Sequence, residues 1–230
     1  VTTSAPSSRP SATARSGGSS AAAGGPSLVV RRAFPQEAAD VAWLAAATFP
    51  LACPPGTERL EMARHVARKL TPAQFRAWAT SADHALLVAV APGDAGPGVV
   101  GPDDRARAAG DRLLGYALVQ VGTPDGQQEA AVLREATGGR GPYAELSKIY
   151  AHPEAQGTGS SSALMAGAVR AAEELAAARG HDRLPLWLGT NGENRRAQAF
   201  YRKHGFEVVG TRTYDVGGVL HDDVVMLRRA

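Results

Sequence analysis

Between Tyr143 and Arg179 an apolar strand, a turn with two glycines and an alanine-rich helix follow one another, and no other stretch constrains the chain as much. The strand runs Tyr143 to Ala151 and is closed by Pro153, which has no N–H to give to a ladder. The turn reads Gln156-Gly157-Thr158-Gly159-Ser160-Ser161. Gly157 and Gly159 allow backbone torsions closed to other residues and admit a ligand without a Cβ in the way. A helix that begins here presents unpaired N–H groups and the positive end of its dipole, a combination that favours phosphate. Thr158, Ser160 and Ser161 can add hydroxyl donors. The plain alternative is a strand-to-helix turn with flexible glycines.

Competing phosphate and nucleophile motifs fail on their own terms. A dinucleotide fingerprint needs a third glycine directly after the strand, whereas His152-Pro-Glu-Ala-Gln156 intervenes. Gly-Lys-Ser/Thr is absent, so there is no Walker loop, and no Gly-x-Ser-x-Gly elbow occurs. A second signal lies downstream, in Asn194-Arg-Arg-Ala197-Gln-Ala-Phe200-Tyr201-Arg-Lys203-His-Gly205-Phe206. This is a helix that ends in a phenol just before a glycine stop. With an unperturbed pKa of about 10 the Tyr201 phenol keeps its proton at neutral pH and suits a general acid. Its alternative is packing at a helix end, the fate of Phe200 and Phe206.

Together these two stretches resemble the GNAT superfamily of acyl-CoA-dependent N-acyltransferases. Its signature, Arg/Gln-x-x-Gly-x-Gly/Ala, is followed by Asn-x-x-Ala-x-x-Phe-Tyr-x-x-x-Gly-Phe. The chain departs from it at Ser161, where Gly or Ala is usual. The resemblance covers roughly residues 28 to 230. It implies an α/β fold in which a mixed, mostly antiparallel sheet, flanked by helices, splays between its two parallel central strands. Backbone groups of Ile149, Tyr150 and Ala151 would then be free for the pantetheine arm of acetyl-CoA. Residues Gln156 to Ser161 would hold its pyrophosphate, Asn191 and Asn194 would bond the cofactor, and Lys203 would meet a CoA phosphate or simply solvate a helix end. Tyr201 would protonate the departing thiolate. Glu145 is the candidate base, acting through water, with an ion pair to Lys148 or an arginine as its structural alternative. The words Glu145-Leu-Ser-Lys-Ile-Tyr150, Trp187-Leu-Gly189, Tyr214-Asp-Val-Gly-Gly and Asp222-Asp223-Val-Val-Met226 are similar to bacterial spermidine/spermine-type N-acetyltransferases. They imply a small primary amine of polyamine type as acceptor. A peptide N-terminus, an amino acid or an aminoglycoside on the same fold, or a non-catalytic acyl-CoA-binding module, are the alternatives; a homodimer is compatible with all of them.

Composition narrows the classes further. Residues 1–27 are almost all Ser, Ala, Gly, Thr and Pro and are expected to be a disordered tail, because they cannot bury enough apolar surface to offset ordering entropy. The expected domain spans 28–230. Of the net charge of +3, two charges (Arg9 and Arg15) sit in that tail, leaving +1 for the domain. A near-neutral domain without a basic stripe is a poor nucleic-acid binder. No apolar run is long enough to span a membrane. Cys53 is alone, which excludes an internal disulfide and fits a reducing cytoplasm, and the excess of Arg and Ala fits a GC-rich bacterial genome. The six histidines show no metal-ligand spacing, and no metal is expected.

Periodicity sets out the remaining elements. A strand is expected over 28–34 and a helix over 36–48 with Ala38, Val41, Trp43, Leu44 and Ala45 on its apolar face. Thr57 is expected to cap a helix reaching Leu70, with Leu60, Arg64 and Ala67 along one side, and Thr71-Pro72 to open a short third helix. Strands follow at 84–91 and 112–121. The polar stretches 92–110 and 122–142 read as loops, the second with one helical turn near Ala130 to Glu135. Then come a helix at 160–179, a strand at 184–189, a helix at 194–204, and closing strands at 206–214 and 223–228.

Overall fold

A computed structural model describes residues 28–54, 56–91, 111–139, 141–155, 157–216 and 218–230. The expected tail over 1–27, the stretch 92–110 and Gln156 of the glycine turn lie outside the described residues. Seven strands form one sheet there: β1 (Val29–Arg32), β2 (His84–Ala91), β3 (Arg112–Gly122), β4 (Tyr143–Ala151), β5 (Leu186–Asn191), β6 (Glu207–Val216) and β7 (Val219–Arg228). Their order is β1-β2-β3-β4-β5-β7-β6. Every neighbouring pair is antiparallel except β4 and β5, which are parallel. Helices α1 (Ala38–Thr48), α2 (Arg59–Lys69), α3 (Pro72–Thr80), α4 (Gln127–Thr137), α5 (Ser160–Ala177) and α6 (Arg195–Lys203) flank it. The expected α/β class and mixed, mostly antiparallel sheet are what the structure contains.

Burial explains the layers. Leu164, Ala168, Ala171, Ala172 and Leu175 of α5 are buried against Ala117 and Val119 of β3 and Ala144 and Leu146 of β4. Alanines along α5 keep its side chains short, so the helix lies close to the sheet. The other face of β2 and β3 offers Leu86, Val88, Tyr116 and Leu118 to α1 and α3, where Val41, Leu44 and Phe75 meet them. A smaller cluster under α4 joins Leu133 to Trp187, Val225 and Leu227. Among the described residues no helix is long and apolar enough to cross a membrane.

Two departures from regular pairing shape the centre of the molecule. First, β4 and β5 pair only through Ala144 with Leu186 and Glu145 with Trp187. Beyond Glu145 the two strands separate, and β4 continues to Ala151 with β3 as its partner on one edge only. Second, the β3–β4 register skips Ser147: Leu118 pairs with Lys148 and Val119 with Leu146. Strict alternation would put Glu145 and Lys148 on opposite faces of β4, since side chains alternate with a period of two. The bulge turns the later residues over. Glu145, Lys148 and Tyr150 therefore share the face of their partners Gln120, Leu118 and Tyr116.

Several local expectations need correction. Trp43 is 68% exposed, so the buried face of α1 is Ala38, Val41, Ala42, Leu44 and Ala45. Thr57 does not cap α2: its hydroxyl donates to the Pro54 carbonyl, and Glu58 is the cap residue, its N–H donating to Glu61. Leu60 faces solvent and His65 is the buried residue of that helix. The stretch after β3 holds a complete helix, α4, where a single turn was expected. Thr71 does cap α3, accepting from the Gln74 N–H at 3.2 Å.

Candidate active site

Where β4 and β5 part, a cavity of about 680 Å³ opens between the strands, the face covered by α1 to α3, and the β6–β7 hairpin. Of the residues singled out in the sequence, Glu145, Ile149, Tyr150, Asn191, Asn194 and Tyr201 line it. Ala151, Lys203 and Gly157 to Ser161 lie outside that lining. The structure thus brings the candidate acid and base to one space and leaves the glycine turn beyond the end of β4.

Glu145 sits deep in this cavity and accepts a hydrogen bond from Gln120 Nε2 at 2.7 Å. Burial pushes its carboxyl above the usual carboxylate range, against the opposing pull of the Gln120 bond and of the Arg212 and Lys148 charges. Such a carboxylate is a better base than a solvated one, because desolvation disfavours its charged form. Lys148 arrives beside it through the bulge. Its ammonium donates to Ser147 Oγ at 3.2 Å and lies 4.8 Å from the centre of the Trp78 ring. Burial lowers the Lys148 pKa to about 8, with attraction to Glu145 holding it up and repulsion from Lys69 pressing it down.

Tyr201 is carried by α6, whose start is fixed by Asn194: its side chain accepts from the Ala197 N–H at 3.0 Å. The Tyr201 ring meets Phe200 and Phe206 edge-on, with centroids 5.6 and 6.0 Å apart. Burial pushes the phenol up to about 12, so it stays protonated across the neutral range. Tyr150 stacks on Tyr116 at 5.5 Å, and its phenol is raised by burial and by the neighbouring Tyr201 and Tyr214.

Gly157 and Gly159 both adopt left-handed backbone, with φ of +80° and +83°, and Gly159 precedes the first residue of α5. Thr158 and Ser160 turn their hydroxyls inward to the Ala155 carbonyl, at 2.7 and 3.3 Å, and bond each other. Of the three hydroxyls expected to serve as phosphate donors, these two are committed to the protein. The backbone N–H groups of the first turn of α5 remain for that purpose. Asn191 is also engaged, accepting from the Glu193 N–H at 2.9 Å. Lys203 is exposed in the last turn of α6.

Sequence reasoning missed a clamp on the far wall. Arg212 of β6 meets Glu129 at 3.1 Å and Asp223 at 3.5 Å, and its guanidinium lies over Trp187 and Tyr214. Gly189 makes the clamp possible, because a Cβ there would overlap the guanidinium. Burial raises the Asp223 carboxyl, against the charge and hydrogen bond of Arg212. Within the cavity lining, Tyr116 Oη, His221 Nε2 and Arg212 Nε are buried without a hydrogen-bond partner. No local pattern announces such contacts, since Glu129, Arg212 and Asp223 come from three elements. Gln120, by contrast, stands on a strand whose alternation marks its face.

The acetyltransferase (GNAT) family matches residues 64–206. An uncharacterized N-acetyltransferase of Mycobacterium tuberculosis (strain ATCC 25618 / H37Rv) is 34% identical over 192 residues, which cover 84% of this chain and 97% of that protein. Among solved structures, the PaiA N-acetyltransferase from Thermoplasma acidophilum in complex with coenzyme A aligns with a TM-score of 0.59 at 16% identity, over 89% of this chain and 99% of that one. Arabidopsis thaliana NAA60 in complex with a bisubstrate analogue aligns with a TM-score of 0.59 at 14% identity, over 89% and 99%. At those identities the two structures speak to the fold alone.

Proposed function

The chain belongs to the acetyltransferase (GNAT) family and is an acetyl-CoA-dependent N-acetyltransferase, and from this premise we propose that it acetylates a primary amine by direct attack, with Glu145 as base and Tyr201 as acid. One observation carries the reading: Glu145 of β4 and Tyr201 of α6 line the same cavity, beside the edge of β4 that β5 leaves open. Buried strand groups without partners are costly, and a pantetheine amide laid along Ile149, Tyr150 and Ala151 would satisfy them. The pyrophosphate belongs at Gln156 to Ser161, on the N–H groups at the start of α5. Asn191, Asn194 and Lys203 complete the cofactor side in this proposal, the first two through their free acceptor capacity or backbone.

An aliphatic amine enters as the ammonium and must lose a proton before it can attack. Glu145, raised by burial, takes that proton directly or through water. The amine nitrogen then bonds to the thioester carbon and gives up its second proton to water, and collapse of the tetrahedral adduct breaks the C–S bond and releases CoA as the thiolate. With its pKa near 12, Tyr201 is a weaker acid than a thiol of pKa about 8.5. As the acid it therefore acts first by donating a hydrogen bond to the sulfur as charge develops there, where a positioned donor is worth most. Proton transfer is completed as the thiolate leaves, and the phenol is reprotonated from water.

A polyamine, the acceptor that the sequence resemblance implies, would find Asp125 and Glu145 in the cavity, whereas Glu129 and Asp223 are already held by Arg212. We further propose one domain over 28–230 and a bacterial cytoplasmic location, in keeping with Cys53, a thiol that burial pushes up to about 11. Free-thiol release from acetyl-CoA, measured over a panel of primary amines, tests the activity. Amine-dependent release is expected. Acetyl-CoA binding with no release for any amine would leave a binding module in place of an enzyme.

A further inference from the structure

The described cations of the cavity are not equally neutralised. Lys69, Lys148 and Arg212 all line it. Arg212 is paired with Glu129 and Asp223. Among the described residues no carboxylate stands in ion-pair contact with Lys69 or Lys148, although Glu145 attracts Lys148 from a distance. One turn before Lys69 on α2 lies His65, buried and stacked on Phe49 with centroids 4.4 Å apart. Burial lowers the His65 pKa first, then repulsion from Lys148 and Lys69, with Asp215 pulling the other way. These effects favour the neutral imidazole, which can donate one N–H. A smaller recess of about 330 Å³ adjoins, lined by His65, Arg68, Lys69, Tyr214 and Asp215. Asp215 is engaged there, accepting from the Gly218 N–H at 3.0 Å.

Lys69 and Lys148 line one half-enclosed space and repel each other, a repulsion that an anion would relieve, with the His65 N–H as a further donor on the same lining. It sits on the α2 and α3 side of the cavity, away from the turn at 157–161. Asp125 and Glu145 line the same space, and Glu145, whose charge attracts Lys148, keeps its role as the base. We propose that the α2 wall is an oxyanion subsite for the acceptor: the amine to be acetylated carries a carboxylate or a phosphate at its far end, held by Lys69 and Lys148 with His65 as a third donor. Trp78, which also lines the cavity, lies 4.8 Å from the Lys148 ammonium. The proposal rests on the acetyl-transfer reading above and adds the class of acceptor.

The test uses acceptors of one chain length that differ only at the end remote from the amine: a diamine, an ω-amino amide, an ω-amino carboxylate and an ω-aminoalkyl phosphate. Thiol release from acetyl-CoA gives kcat/KM for each. A charged hydrogen bond gained at the subsite should favour an anionic acceptor over the amide by about tenfold. The carboxylate and phosphate arms show which oxyanion is meant. Lys69 is an exposed residue that lines the cavity, so Lys69→Gln spares the fold. It should collapse the anion-to-amide ratio towards unity with the KM for acetyl-CoA unmoved, and Lys69→Glu should turn the preference towards the diamine. Equal use of anion and amide by the wild type, or a ratio untouched by Lys69→Gln, overturns the subsite while leaving the acetyltransferase reading intact. No release with any of the four, from protein that binds acetyl-CoA, overturns both.

Discussion

Lys148 offers a measurement of how deeply the cavity is shielded from water. Its ammonium titrates at about 8 in the folded protein against an ordinary 10.5. Below about pH 8 both folded and unfolded chains hold the proton, and the folded state carries the full penalty of a buried charge. Between about pH 8 and 10.5 the folded protein releases the proton while the unfolded chain keeps it, so stability rises with pH across that window. Above it the penalty is gone. One pKa unit is about 1.4 kcal/mol, so the displacement amounts to about 3 kcal/mol. Lys148→Met removes the charge and keeps an unbranched stem against Trp78. Urea unfolding of both proteins at pH 7, 9 and 10.5 reads the difference between them. Cys53, raised from 9.0 to about 11, and the buried tyrosines titrate in both proteins and cancel in that difference. The methionine variant should hold its largest advantage at pH 7 and lose about 2–3 kcal/mol of it by pH 10.5. A difference that stays constant over this range would mean that water reaches the Lys148 ammonium freely, and the account of the cavity would fail.

Tyr201→Phe deletes one oxygen and keeps the ring between Phe200 and Phe206; kcat should fall by about 10²–10⁴ with acetyl-CoA affinity little changed, and a wild-type rate under chemistry-limited conditions would make Tyr201 a packing residue. Gly159→Val forces a β-branched residue into φ of +83°, a strain of roughly 1–2 kcal/mol that should lower Tm, and puts its side chain where the pyrophosphate would approach, so acetyl-CoA binding in calorimetry should weaken; wild-type affinity in a folded variant would refute the site. Gly189→Ala puts a methyl into the Arg212 guanidinium and should lower Tm, and unchanged melting would show that the clamp can move aside. A chain beginning at Ser27 should keep its turnover and Tm, because residues 1–27 lack apolar side chains to dock; loss of either would show that they pack.

Elements with a strong local signal were legible in the sequence. The strands at His84–Ala91 and Tyr143–Ala151 have the bounds that their apolar runs announce, and Thr71 caps α3 as its place before Pro72 implies. The length of α4 is hidden in the sequence because glycines, Gly126 and Gly138 among them, stand at both its ends. Trp43 misled for a different reason: a large apolar side chain in a broad hydrophobic stretch looks like core, yet the alanines beside it make the contact with the sheet. At the site, the family resemblance points to Glu145 and, with its helix-end position, to Tyr201, and the cavity lining includes both; local pattern carries no more than that. It could not identify Lys148, whose face is set by one unpaired residue, Ser147, in a register that only the partner strand defines. Nor could it find Arg212, whose partners Glu129 and Asp223 become neighbours only when α4, β6 and β7 assemble.

The short parallel seam has a consequence for solvent. With two residue pairs joining β4 to β5, the amides of β4 that point away from β3 beyond Glu145 have no strand to bond. In hydrogen–deuterium exchange β4 should then behave as a comb: alternate amides protected by β3, the intervening ones labelled early. The pattern would invert one expectation about sheets, that a central strand is the slowest to exchange. Filling the gap with the arm of acetyl-CoA should slow the fast teeth of the comb and leave the slow ones as they were. The breadth of that change along β4 would mark, amide by amide, how far a bound molecule closes the sheet.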